Sequence, residues 1–170
     1  MKKTILFSSC CLIILACASY REVAAARIAN EVVFAEFHGG GMTIGHISDP
    51  LAVANWELRV ANDGSVEQRL YDELAREWRI FDGAAIEKTE LDSILSECET
   101  LPAGEPAGAP VYLGRVATDT TYLRIVSHSS AGTRDVMAFA PKRSSAEFAR
   151  FLRVWKRITN HRPVPQSPGG

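Results

Sequence analysis

Cysteine is scarce in the body of this 170-residue chain, because Cys98 is the single cysteine after the first 17 residues. A lone cysteine excludes an internal disulfide, so a hydrophobic core must stabilise the folded state. The body also lacks an apolar run of membrane-spanning length, which takes about 20 residues. We therefore expect one domain that buries its own core.

Complete catalytic motifs are also missing, although one stretch resembles part of such a motif. Three glycines follow His38 at the end of an apolar run, and lipases place such a sequence at an oxyanion hole. That chemistry also needs a nucleophile, a base and an orienting acid. No serine has glycines both two residues before and two residues after it, and Ser130 and Ser167 each have only the second. We predict that the protein is not an enzyme and has no catalytic residues.

The glycine loop after His38 has two other interpretations. Glycines permit positive φ angles and close approach of backbones, which suits a tight loop at a strand end. Exposed glycine amides can also contact a partner or an anion. The candidate partner-contact residues are His38, Gly39, Gly40 and Gly41.

Metal binding is not predicted. His38, His46 and Asp49 are of the residue types that bind zinc, but their spacing fits no compact site. His128 and His161 lie in unrelated parts of the chain. We also find no phosphate-binding loop and no dinucleotide fingerprint, so we predict neither a metal site nor a cofactor.

The first residues are typical of an export signal. Lys2 and Lys3 precede a short apolar segment at 4–16, and small residues follow. Ile14-Leu15-Ala16-Cys17 resembles a bacterial lipoprotein box, which predicts residues 1–17 as the signal, Cys17 as the lipidated residue and 18–30 as a tether. Ordinary signal cleavage after Ala18 or Ala26 is the alternative. The expected location is the bacterial cell envelope, lipid-anchored, or else the periplasm or the exterior in secreted form.

Periodicity divides the body into strands, one helix, further strands and a final helix. Residues 56–60 alternate apolar and polar side chains, and Asn62-Asp63-Gly64 predicts a turn into a second strand at 65–71. Residues 78–81 continue that sheet. Other strands are predicted at 32–37, 111–117, 120–126 and 135–140, with a turn at 127–133.

Two helices follow from apolar residues at helical spacing. The first begins at Thr89 as its cap and has an apolar stripe of Leu91, Ile94, Leu95 and Cys98. The second opens on the capping-box pattern Ser144-Ser145-Ala146-Glu147 and presents Phe148, Phe151, Leu152, Trp155 and Ile158. The predicted fold class is α+β: a mostly antiparallel sheet of about six strands covered by two helices. A single domain is predicted over 31–160, with a disordered tail at 161–170.

Charge is distributed unevenly although the net charge is only −1. Residues 27–141 hold nine Lys or Arg against eighteen Asp or Glu, whereas residues 142–162 hold seven against one. The final helix carries a candidate basic surface of Arg150, Arg153, Lys156 and Arg157. This surface is either a solvated face that suits the helix C-terminus and the acidic body, or a contact for anionic lipid or an acidic protein.

The order of several short motifs resembles that of small bacterial emfourin-like modules. These motifs are the glycine loop, the helix Thr-Glu-Leu-x-x-Ile-Leu from Thr89 that ends at Leu101-Pro102, and the strand from Asp119 to Leu123. The resemblance covers residues 31–155, and the export signal and the hairpin at 55–81 depart from it. Members of that family are regarded as inhibitors of metalloproteases, so the resemblance implies a protein partner, with no inhibitory residue assigned.

The leading functional hypothesis is an exported, non-enzymatic protein-binding module, of inhibitor or immunity type, whose partner is an unknown exported protein. The alternative is a structural or membrane-associated envelope lipoprotein that contacts anionic lipid through its basic helix. A small hydrolase with an unrecognised site is the third. Nucleic acid is not expected as a partner, because the protein is exported and its basic residues are not interleaved with aromatics.

Overall fold

The computed structural model describes residues 30–38, 55–72, 75–114, 121–139 and 145–163. These residues form seven strands and two helices. The strands are β1 (Glu31–His38), β2 (Asn55–Ala61), β3 (Val66–Asp72), β4 (Glu77–Asp82), β5 (Val111–Leu113), β6 (Tyr122–Ser129) and β7 (Gly132–Phe139). The helices are α1 (Lys88–Glu99), between β4 and β5, and α2 (Ala146–Thr159), after β7.

All seven strands belong to one sheet, in the order β4-β3-β2-β1-β6-β7-β5. The pairs β1–β6, β2–β3, β3–β4 and β6–β7 are antiparallel, and β5–β7 is parallel. Two hairpins therefore flank β1: β2 and β3 on one side, and β6 and β7 on the other. The strand β4 occupies one end of the sheet and β5 the other.

The core lies between one face of the sheet and the two helices. Alternation along β2 places Trp56, Leu58 and Val60 on this inner face, because successive strand residues point to opposite sides. The helices contribute one stripe each to the same cluster, namely Leu91, Ile94 and Cys98 from α1, and Phe148, Phe151, Val154 and Ile158 from α2. The described residues from Val32 onward belong to one compact unit.

The predicted α+β class is confirmed, with a sheet of seven strands where about six were expected. The turn predicted at 127–133 is wrong in extent. In the structure β6 continues to Ser129 and β7 starts at Gly132, because Ser127 is buried on the inner face opposite Val33 of β1. Ser127, His128, Ser129 and Thr133 are strand residues, and only Ser130 and Ala131 lie between the two strands.

Both helix starts differ slightly from their prediction. The first turn of α1 begins after Glu87, which makes no side-chain capping bond, and Thr89 lies inside the helix. In α2 the cap is Ser145, whose hydroxyl accepts a hydrogen bond from the Phe148 amide at 3.1 Å. A serine therefore caps α2 as expected. The cap is Ser145, one residue after the Ser144 that would form a capping box with Glu147.

Neither helix resembles a membrane span. The longer one, α2, has 14 residues, and within the described ranges no helix has the length and hydropathy needed to cross a bilayer.

Candidate partner-binding edge of the sheet

The most exposed strand is β4, the last strand at its end of the sheet. Trp78 is 45% exposed and Ile80 is 47% exposed, although both are large apolar side chains in a regular strand. Among the described residues no strand pairs with the outer side of β4. An exposed strand edge with apolar side chains is a template for pairing with another chain.

The backbone of β4 alternates between bonds to β3 and groups directed outward. The Gly83 amide donates to the Val66 carbonyl at 2.9 Å, and the register continues from there without a bulge. In an antiparallel ladder every second residue bonds to a given neighbour. Glu77, Arg79 and Phe81 therefore direct their N–H and C=O groups toward β3, and Trp78 and Ile80 direct theirs away from it.

The side chains of Trp78 and Ile80 share the outer face of the sheet, opposite the helices. Trp78 lies across from Tyr71 of β3, with ring centroids 5.3 Å apart, and Ile80 lies across from Arg69. We call Tyr71, Trp78 and Ile80, together with the outward backbone groups of β4, the edge surface. It offers apolar contacts and main-chain hydrogen-bonding groups side by side.

The inner side of β4 attaches the strand to the domain. Arg79 forms an ion pair with Asp72 at 2.5 Å, and this carboxylate is 9% exposed. Phe81 packs against the buried core from the end of the sheet. The edge surface is therefore presented by an anchored strand, which lowers the entropy cost of binding.

The opposite end of the sheet is a weaker candidate. The strand β5 there has only three residues and pairs in parallel with β7. Tyr112 on β5 is 52% exposed, but its ring packs on Phe139 with centroids 6.0 Å apart. A three-residue edge offers few backbone groups to an added strand.

Of the predicted partner-contact loop and lipidation site, the structure describes only His38. Gly39, Gly40, Gly41 and Cys17 lie outside the described residues. His38 is the last residue of β1, and its ring stacks on Tyr122 of β6 with centroids 4.9 Å apart.

A hydrogen-bonded polar network adjoins His38 on the outer face of the sheet. The Tyr122 hydroxyl donates to the Glu36 carboxylate at 2.7 Å, and burial, followed by this bond, raises the pKa of Tyr122 to about 12. Arg124 donates to both oxygens of Asp135 at 2.9 and 2.8 Å, and a Glu36 oxygen lies 3.7 Å from its guanidinium. The bond to Asp135 is the largest cause of the raised Arg124 pKa. These groups satisfy one another, and their arrangement fixes the pairing of β1, β6 and β7.

The predicted basic surface is partly used inside the domain. Arg157 donates to Glu90 and to Glu97 of α1, and Arg150 donates to the Thr100 carbonyl at 3.0 Å. Arg153 lines a groove of about 680 Å³ between the helices, together with Glu97, Thr100, Arg150, Val154 and Arg157. Within the described ranges, Arg153 and Lys156 are the members of this surface whose side chains have no hydrogen bond or ion pair.

Cys98 has the properties of a core residue. It is fully buried, and burial is the largest cause that raises its pKa to about 12. A thiol in this state is a poor nucleophile, because the thiolate is the reactive form.

No group of three or more His, Cys, Asp or Glu side chains is arranged to hold a metal ion in the part of the chain that the structure describes.

The edge surface was not identified among the sequence candidates. Residues 78–81 were predicted to continue the sheet, but the local pattern contains no information on which strand is the last. The available signal was the run Trp78, Ile80 and Phe81 just before a turn and a helix, since three large apolar residues exceed what one buried strand face needs.

No model of a protein family matches this chain, and no curated protein matches it either.

Proposed function

We propose that this protein is an exported, non-enzymatic protein-binding module that takes up an extended segment of another polypeptide along β4. The carrying observation is the edge surface, where two half-exposed apolar side chains stand beside outward N–H and C=O groups of the same strand. Strand addition uses these two elements together, since main-chain bonds supply affinity and alternate side chains supply specificity.

The edge surface favours a protein partner over a lipid surface. A lipid acyl chain cannot hydrogen-bond to the outward backbone groups of Trp78 and Ile80, whereas a peptide strand can. The lipid alternative depends on the basic helix, and two of its four cations, Arg150 and Arg157, are bonded within the domain. An inhibitor role, as implied by the resemblance to emfourin-like modules, is one form of the proposed binding.

The test uses a variant that blocks the edge without breaking the sheet. Because the Ile80 amide points away from β3, Ile80→Pro removes an outward donor and no bond of the β3–β4 ladder. We expect affinity purification of the chain from the producing cell's envelope to recover a stoichiometric protein. Ile80→Pro and Trp78→Ser should lower its affinity, with roughly a 30-fold loss for the tryptophan.

Arg153→Ser is the matched control, because Arg153 is on the opposite side of the domain and has no partner in the described ranges. It should retain the bound protein, and all variants should show the wild-type circular dichroism spectrum. If Ile80→Pro binds as tightly as wild type while Arg153→Ser loses the partner, binding occurs at the basic surface and the proposal is wrong.

A further inference from the structure

We infer that the edge surface fits a second copy of this chain, so that two molecules pair β4 with β4 about a two-fold axis. The inference depends on the proposed function and identifies its partner. A two-fold interface uses the same patch on both subunits, so the patch must be complementary to itself. Strand β4 meets this requirement in its backbone, its apolar side chains and its charges.

Backbone geometry limits the pairing to two central registers. Two antiparallel copies of β4 continue one sheet only if residues opposite each other lie on the same face. The outward groups of Trp78 and Ile80 must also meet outward groups of the partner. Either Arg79 lies opposite the partner's Arg79, or Ile80 lies opposite the partner's Ile80.

The apolar side chains favour the register centred on Arg79. In this register Trp78 lies opposite the partner's Ile80, and the symmetry repeats the contact. Each exposed apolar side chain of one chain then contacts one of the other, and pairs of an aromatic with a β-branched residue are favourable across strands. The register centred on Ile80 pairs the two isoleucines but leaves Trp78 opposite the partner's Asp82.

Charge complementarity supports the same register. Arg76 precedes β4 and Asp82 ends it. In this register Arg76 of each chain therefore lies opposite the partner's Asp82. The two Arg79 side chains face each other at the centre, which is unfavourable in isolation. However, each has its own Asp72 at 2.5 Å, and the partner's Glu77 lies on the diagonal.

The helices leave room for this pairing. The buried core contains residues of β1, β2, β3, β5, β6 and β7, whereas β4 contributes only the partly buried Phe81. The buried helical side chains therefore pack mainly against the other strands, and the segment after α2 approaches the end of β4 at Pro163, next to Gly83.

The experiment combines sedimentation with cysteine cross-linking in the full chain. In the register centred on Arg79, this residue forms a non-hydrogen-bonded pair with its counterpart, with Cα atoms about 4.5 Å apart, which suits a disulfide. We expect Arg79→Cys to give a dimer linked between the two residues 79 under mild oxidation. Ile80→Cys should link much less, and mass spectrometry of the linked peptides separates these bonds from any that involve the other cysteines.

Wild type should sediment as a dimer, and Trp78→Ser should raise its Kd at least about tenfold. Arg79→Ala controls for loss of the arginine and should remain dimeric. A wild-type monomer at concentrations up to about 100 µM, which excludes a micromolar Kd, would overturn the inference, as would preferential linkage through Ile80→Cys.

The two proposals fail separately. If the chain is monomeric but loses a bound envelope protein on Ile80→Pro, the edge binds a different protein and only the dimer is wrong. If the chain is monomeric and Ile80→Pro leaves binding unchanged, both proposals are wrong.

Discussion

Arg157 of α2 donates to both carboxylate oxygens of Glu90 of α1, at 3.1 and 2.9 Å, although the two residues are 67 positions apart. Ser93 and Glu97, one and two helical turns after Glu90, also accept from the same guanidinium. A bidentate arginine–carboxylate pair has a defined geometry, unlike most surface ion pairs. The last turn of the basic helix therefore joins the two helices through Arg157, so the basic surface is not available as a whole to an external anion.

The first prediction concerns this pair. The hydrogen bond from Arg157 is the largest cause of a lowered Glu90 pKa. Because the folded-state pKa lies below the unfolded one, the contribution of Glu90 to stability is present above about pH 4.3 and is lost as the pH falls further. We expect Arg157→Gln to lower the urea midpoint at pH 7, and the difference from wild type to shrink at pH 3.

Arg153→Gln is the control for this prediction, because it removes a cation from the same helix without removing a described ion pair. Its urea midpoint should stay close to that of wild type at both pH values. Equal midpoints for Arg157→Gln and Arg153→Gln at pH 7 would show that the helix pairing contributes nothing.

The parts of this fold that the sequence predicted are those governed by local periodicity. Alternation at Trp56, Leu58 and Val60 and the helical spacing from Leu91 to Cys98 indicate burial directly. A half-buried strand buries every second residue, and a helix buries residues three and four positions apart. The same reasoning placed Cys98 on the apolar stripe of α1, and its side chain is buried. Residues 127–129 were predicted as part of a turn, because these polar residues become strand residues only through pairing, with β1 and β7 at Ser127 and with β7 at His128 and Ser129.

The candidate site was less predictable because it depends on strand order. The alternation within each strand does not show that Trp78 belongs to an edge strand and Trp56 to a central one, yet the first is 45% exposed and the second 2%. Likewise, the spacing of Arg150, Arg153 and Arg157 shows a common helix face but not the acidic helix that this face meets. Contacts between distant segments decide both cases.

A second prediction concerns Gly64, in the turn between β2 and β3. Its φ is +83°, and an added Cβ would overlap the carbonyl oxygen of Ile86, whose amide donates to the Gly64 carbonyl at 2.8 Å. We expect Gly64→Ala to destabilise the fold by more than about 1 kcal/mol, as measured by urea unfolding. Gly132→Ala is the matched control, since Gly132 also has a positive φ of +106° but has no atom near its Cβ position. A loss no larger for Gly64→Ala than for Gly132→Ala would contradict the role assigned to the Ile86 carbonyl.

A third prediction concerns the reactivity of Cys98. Its side chain is fully buried and its pKa is raised to about 12, so alkylation requires the thiol to become exposed by unfolding. We expect iodoacetamide at pH 8 to leave the Cys98 peptide unmodified in the native protein and to modify it fully in urea, as measured by mass spectrometry. Gly64→Ala should accelerate the labelling, because it raises the unfolded population. Equal rates in native and unfolded protein would contradict a core position.

The last prediction concerns Tyr122 and its hydrogen bond to Glu36. Tyr122→Phe keeps the ring against His38 and Phe139 and removes only the hydroxyl. We expect a loss of about 1 kcal/mol in the free energy of unfolding at pH 7, the usual contribution of such a bond. Tyr112→Phe is the control, since Tyr112 is 52% exposed and should change stability little.

The pH dependence of this bond tests its physical cause. The folded-state pKa of Tyr122 is about 12, above the ordinary value of about 10, since burial and Glu36 disfavour the phenolate. Its contribution to stability is therefore complete below about pH 10 and is lost as the pH rises toward 12. Absorbance titration should show one tyrosine of the four ionising last, and Tyr122→Phe should remove that step. If the last step persists in Tyr122→Phe, the phenol is not held by Glu36 in the way that the 2.7 Å distance indicates.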